Sequence, residues 1–191
     1  MLQKALEFIK ENESFSETAY RDGPGFSIGY GFYLGEAPEN QLKRMTRQEA
    51  DEKIIAILNG WVTRCFNNIH PEVRQKLTES QKVALYDFIY NLGCPQFSGS
   101  TLFRLLQDGK ITEAGQQFQR WIYSTNSQGV KFKVKALETR NKKRQELWMS
   151  ESFQDYKKKD YSKLLERLGL LESRLQSLMD SYSLHLRKTN K

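Results

Sequence analysis

The sequence predicts an α+β fold, mostly helical with one small β-hairpin lobe, and three observations carry that expectation. Apolar residues recur at helical spacing over most of the chain. One Gly- and aromatic-rich segment near the N-terminus breaks that rhythm, and a leucine pattern of heptad type begins after residue 160. The 191 residues, 38% hydrophobic and 12% aromatic, supply one ordinary globular domain with its own core and a further segment.

The elements follow in chain order. Leu2, Ala5, Leu6 and Ile9 describe a short amphipathic helix that ends near the acidic cluster Glu11 to Glu13. The stretch TAYRDGPGFSIGYGFYLG, residues 18–35, sets the turn Asp22-Gly23-Pro24-Gly25 between apolar runs, which predicts a hairpin, the only sheet expected. Thr46-Arg47-Gln48-Glu49 has the form of a capping box and opens a helix through Ile54, Ile55 and Leu58, closed by His70-Pro71. A second box at Thr78-Glu79-Ser80-Gln81 opens a helix whose apolar face is Leu85, Phe88, Ile89 and Leu92, stopped by Gly93 and Pro95. Further helices are predicted over 100–107, 112–123 and 133–149, with Gly109 and residues 124–129 as the breaks.

From Tyr161 the pattern Tyr161, Leu164, Leu168, Leu171, Leu175, Leu178, Tyr182 steps alternately by three and four, a heptad seam. Such a seam pairs with a partner helix, in a homo-oligomer or a docked complex, or lies back on its own domain. Gly169 weakens the helix by about 1 kcal/mol relative to Ala. The expected organisation is a domain at 1–150, with its hairpin lobe at 14–36, and a helical extension at 151–191.

The formal charge is +7, from 30 Lys and Arg against 23 Asp and Glu, so anionic partners are favoured: nucleic acid, anionic lipid or an anionic cell wall. The excess is spread, +4 over residues 1–150 and +3 over 151–191, and no basic-and-aromatic nucleic-acid motif emerges, so no specific nucleic acid is expected. Cys65 and Cys94 permit at most one disulfide and cannot close a structural zinc site. His70 and His185 are isolated, so no metal and no organic cofactor is implied. The N-terminal MLQKALEFIKENE alternates apolar and charged residues and lacks the run that a signal peptide or transmembrane segment requires. The protein is therefore expected to fold in a cytoplasm and to need release or delivery if its substrate lies outside.

Glu13 and Asp22 are the candidate chemistry. Cleaving a glycosidic bond needs one carboxylic acid to protonate the leaving oxygen and a second carboxylate to serve water or the charged transition state. Glu13 stands at the end of the first helix and Asp22 nine positions later at the hairpin turn, so a chain reversal brings both to one cleft. A carboxyl partly withdrawn from water keeps its proton to higher pH than one in a polar, Gly-rich turn. Spacing alone does not single the pair out, because most such pairs are solvated surface charges.

The whole string ESFSETAYRDGPGFSIGYG, residues 13–31, resembles the active-site segment of the phage-type lysozymes. QKVALYDFIYNLG (81–93), FSGSTLFRLLQDG (97–109), FQRWIYS (118–124) and KALETRNKKRQELW (135–148) are similar to later blocks of that family, in the same order. The resemblance implies a lysozyme-like fold and a muramidase that cleaves the β-1,4 bond between N-acetylmuramic acid and N-acetylglucosamine in bacterial peptidoglycan, with inversion. It places the catalytic acid on Glu13, the second acidic residue on Asp22, the catalytic-site threonine on Ser27, and a cleft-facing substrate contact on Asn91. Ser27 departs from the family's Thr, and the Asp22–Ser27 interval is one residue shorter than usual. Ser14 stands where the family has Gly, and Phe32 where it commonly has His.

Other readings compete. Glu11 and Glu17 are nearest to Glu13 but read as solvated charges. Tyr20, Phe26, Ile28 and Tyr30 read as packing on the hairpin face, and Trp121 and Trp148 as core. The run Lys131, Lys133, Lys135, Arg140, Lys142, Lys143, Arg144 reads as a solvated helical face or as an attraction for anionic wall polymer. A lysozyme-fold virion or tail component that binds without catalysis, and a basic helical nucleic-acid binder, are the two remaining classes.

Overall fold

The computed structural model describes residues 1–126 and 128–189. Ser127, in the expected break at 124–129, and the side chain of His185 lie outside the described residues. The chain divides into two units, residues 1–152 and 153–191.

In the first unit α1 (Leu2–Lys10) leads into an antiparallel three-stranded sheet, β1 (Ser16–Asp22), β2 (Gly25–Gly29) and β3 (Phe32–Gly35), in the order β1-β2-β3. Helices α2 (Arg47–Ile57), α3 (Thr63–Phe66), α4 (Pro71–Lys76), α5 (Glu79–Leu92), α6 (Cys94–Ser98), α7 (Thr101–Gln107) and α8 (Ile111–Gln116) follow. A second hairpin, β4 (Tyr123–Thr125) with β5 (Lys131–Lys133), precedes α9 (Lys135–Trp148). The α+β expectation holds, but the sheet at 14–36 is not the only one, and the helix expected to reach Tyr123 gives way to a 3-10 turn ending at Arg120. The reason lies in the loop: the Asn126 side-chain oxygen accepts the amides of Gln128 and Val130 at 3.0 and 2.9 Å, closing a turn that brings the two short strands together.

Both capping boxes form. Thr46 Oγ1 accepts the Glu49 amide at 3.2 Å while Glu49 accepts the Thr46 amide at 2.7 Å, and Thr78 with Gln81 repeats the arrangement at 3.2 and 3.0 Å. The helix that the second box starts, α5, is buried from Val83 to Ile89 without interruption, so it is central rather than one-sided. Phe88 meets Phe97, Phe118 and Trp121 edge-on around it. Cys65 and Cys94 form a disulfide that ties α3 to the start of α6.

The second unit is one helix, α10 (Phe153–Thr189), which continues through Gly169. The seam side chains from Tyr161 to Tyr182 are 47–68% exposed. Among the described residues no helix is long and apolar enough to cross a membrane.

Candidate active site

Glu13 is placed by the end of α1. The Asn12 side chain donates to the Phe8 carbonyl at 2.6 Å and its amide to Ile9 at 2.9 Å, which turns the chain out of the helix. Two residues on, the Phe15 ring packs on Tyr30 at 5.2 Å between centroids and carries the Arg47 guanidinium at 4.3 Å, fixing the junction of helix and sheet. Glu13 itself is a quarter exposed and accepts a hydrogen bond from Arg140 Nη1 on α9.

Asp22 and Ser27 are brought together by the hairpin. Gly23, at φ +58°, makes the left-handed step of the turn, and Gly25 is needed because a Cβ there would strike the Gly35 backbone. The resulting register sets Asp22 opposite Gly25 and Tyr20 opposite Ser27. The Ser27 hydroxyl donates to Asp22 Oδ2 at 2.6 Å, with Ser27 fully buried and Asp22 exposed. The shortened interval therefore still delivers a hydroxyl to the carboxylate.

Tyr20 corrects one expectation. Phe26, Ile28 and Tyr30 are buried, but Tyr20 is 42% exposed, on the same sheet face as Asp22 and Ser27. Its pKa is raised, first by partial burial and then by the charges of Asp22 and Glu13, so it stays a hydroxyl. A hollow of about 610 Å³ lined by Ala19, Arg21, Phe26 and Glu36 belongs to the opposite face of β1 and β2 and plays no part in this arrangement.

Behind Glu13 lies a network that sequence reasoning missed. Asp87, fully buried in α5, accepts Arg140 Nη2 at 2.6 Å and Nε at 3.2 Å, and Arg144 Nε at 2.5 Å. Burial alone would raise the Asp87 pKa, but two guanidiniums outweigh it and hold the carboxyl below its usual range. For Arg140 the sign is likewise reversed: burial opposes its charge, and Asp87 and Glu13 together raise its pKa. Arg144, wholly buried and next to a second cation, is lowered by burial first, with Asp87 only partly offsetting it. The half-buried phenol of Tyr90 is pushed up by burial and by the nearby Glu13 charge.

These two arginines overturn the reading of the 131–144 run as a uniform solvated face. Arg140 and Arg144 are buried, one helical turn apart on α9, because they face α5; Lys131, Lys133, Lys135 and Lys142 are exposed. The signal was present in the lone Asp87 amid an apolar helix, since a buried carboxylate requires cationic partners. Asn91 lies at the end of α5, half-buried, its amide oxygen accepting Arg144 Nη2 at 3.1 Å. Glu11 is half-buried and Glu17 is exposed, paired with Arg44 at 3.5 Å. Among the described residues no group of three or more His, Cys, Asp or Glu side chains is placed to hold a metal ion.

This chain is similar to a SAR-endolysin of Bacteriophage PS119, 33% identical over 94 residues, which cover 49% of this chain and 55% of the relative. It therefore spans about half the length of the curated relatives it matches. Among solved structures it is similar to the muramidase domain of SpmX from Asticaccaulis excentricus, 27% identical with a TM-score of 0.64, covering 76% of this chain and 95% of that one. The endolysin from Escherichia coli O157:H7 phage FAHEc1 shares the fold, at 23% identity and a TM-score of 0.64 over 78% of this chain and 93% of its own. The family model described as Phage lysozyme matches residues 10–144, a span that contains Glu13, Asp22, Ser27, Asp87, Asn91, Arg140 and Arg144. With well over half of its length matched in that way, the chain belongs to the phage lysozyme family.

Proposed function

We propose that residues 1–150 are a catalytic domain that hydrolyses the β-1,4 bond between N-acetylmuramic acid and N-acetylglucosamine in bacterial peptidoglycan. The observation that carries the reading is the pairing of a carboxyl held by Arg140 with a second, hydroxyl-bonded carboxylate on the sheet beside it. Glu13 donates its proton to the glycosidic oxygen as the bond breaks. Arg140, itself held by Asp87, fixes the carboxyl's orientation, so that little reorganisation is needed in the transition state. Asp22 and Ser27 hold a water on the other face of the sugar, and Asp22 takes its proton as oxygen attacks the anomeric carbon. That division of labour is inverting. Asn91 offers its side-chain amide to the sugar while its oxygen stays on Arg144.

Purified peptidoglycan supplies the test. Wild-type protein clears a wall suspension, and Glu13→Gln, which keeps the shape and loses the proton, does not. Failure of the wild type to clear walls at any salt or pH favours the binding-only virion or tail component instead. Release of the initial product as the β anomer argues against inversion. In its setting the enzyme acts on the wall after leaving the cytoplasm in which it is made, by membrane release or inside a particle. The exposed seam at residues 161–182 supports a separate partner surface on the extension at 151–191.

A further inference from the structure

The seam of α10 presents a heptad face of exposed side chains. Tyr161, Leu168, Leu175 and Tyr182 occupy one core position of the repeat and Leu164, Leu171 and Leu178 the other, all 47–68% exposed. Seven such side chains present roughly 700–800 Å² per helix, close to the ~800 Å² that each partner contributes to a standard stable interface. From Tyr161 to Tyr182 the face runs about 30 Å, at ~1.5 Å per residue.

The flanking charges choose among ways of covering it. Arg167 and Glu172 lie on opposite borders of the seam, five residues apart, which is the interval that brings them together across two parallel helices in register. Two such pairs form, Arg167 of each copy with Glu172 of the other. Antiparallel pairing that keeps the same core layers sets Arg167 of one copy against Arg174 of the second and leaves Glu172 beside Leu165. The first arrangement attracts and the second repels. Leu165 and Met179, exposed on the Glu172 border, widen the apolar contact in either case.

We infer that α10 binds a second copy of this chain as a parallel, in-register coiled-coil dimer through residues 161–182. The inference rests on the partner reading of the seam and is independent of the glycosidase reading. Each first unit leads directly into the start of α10, so the parallel register tethers two of them to the same end of the pair. On an insoluble polymer, one unit then stays attached while the other releases and rebinds.

Sedimentation of the full chain tests it, with an expected mass twice the 22.4 kDa of one chain. Arg167→Glu turns two attractive contacts repulsive and raises the dimer dissociation constant several-fold to about tenfold. Adding Glu172→Arg to that variant restores the affinity. Leu164→Cys, off the midpoint of the seam, cross-links to itself under oxidation only when the helices are parallel. A dimer mass without that cross-link overturns the parallel register but keeps the seam as a partner surface. A monomer at tens of micromolar overturns self-pairing altogether, and a trimer or tetramer mass overturns the dimer. Far-UV circular dichroism of each variant confirms that helix content is unchanged.

Discussion

Replacing Asp87 with Asn removes one negative charge from between two buried guanidiniums and changes little in shape. Arg140 and Arg144 are 6% and 0% exposed at their side chains, so neither can turn to water when its partner is gone. Breaking a buried pair on one side costs about 3–5 kcal/mol, because the surviving charge is left uncompensated. For a domain of this size each kcal/mol moves the melting temperature by about 2–4 °C, so Asp87→Asn melts roughly 6–20 °C below wild type at neutral pH. The sign of the pH dependence is fixed by the lowered pKa of Asp87 in the folded state. Its contribution is complete above the ordinary carboxylate value of about 4 and is lost as pH falls below that towards the folded value. The gap between wild type and Asp87→Asn therefore narrows in acid. A triple change, Asp87→Leu with Arg140→Met and Arg144→Met, removes all three buried charges together, leaves only the part-exposed Glu13, and regains most of the stability without regaining wall clearing. Calorimetry of the three proteins decides the matter. Melting of Asp87→Asn within two or three degrees of wild type refutes the argument, as does a triple variant no more stable than the single one.

Other expectations can be checked alongside. Ser27→Ala loses a hydroxyl bonded to a carboxylate, worth about 1.5–3 kcal/mol, and lowers the clearing rate by about ten- to a hundredfold, while Ser27→Thr keeps most of it. Gly115→Ala forces a methyl into the buried Trp148 indole and costs about 1–3 kcal/mol in chemical denaturation. Reducing the Cys65–Cys94 bond frees a loop with a sequence separation of 29 and lowers stability by about 3–4 kcal/mol, seen as a reductant-dependent melting shift absent from Cys65→Ser. Gly169→Ala meets no atom within 4 Å and stabilises α10 by about 1 kcal/mol, read from the far-UV melting curve.

Local chemistry was the legible part of this sequence. The two capping boxes and the Asp22-Gly23-Pro24-Gly25 turn each act within a few residues, and α5 announced itself through an apolar run that only a core can accept. Ser27 entered only through the resemblance to the phage-type lysozymes, although a single hairpin turn separates it from Asp22. The support for Glu13 was not legible. Arg140 lies 127 residues away, and on its own helix it is surrounded by lysines that do face solvent. Charge alternation along α9 hides which two of its cations turn inward, and only Asp87, an acid within α5, pointed to them. The β4–β5 hairpin escaped because three exposed residues per strand give no period-two burial signal, and its turn depends on the Asn126 side chain rather than on an Asn-Gly or Asp-Gly pair. Two cysteines permit a bond without requiring one.

The long reach between Glu13 and Arg140 also orders events in time. During synthesis the acid, its hairpin and most of the helices emerge before the guanidinium that orients it. At ~5–20 residues per second, roughly 6–25 s pass between the two. Until α9 has been made and has docked on α5, the nascent chain carries both carboxyls but not the guanidinium that holds Glu13. On the proposed function, an incomplete chain ending before Arg140 clears no wall, whatever its folded fraction. On that reading, possession of the two carboxyls and possession of a catalyst are separate stages in the life of one polypeptide.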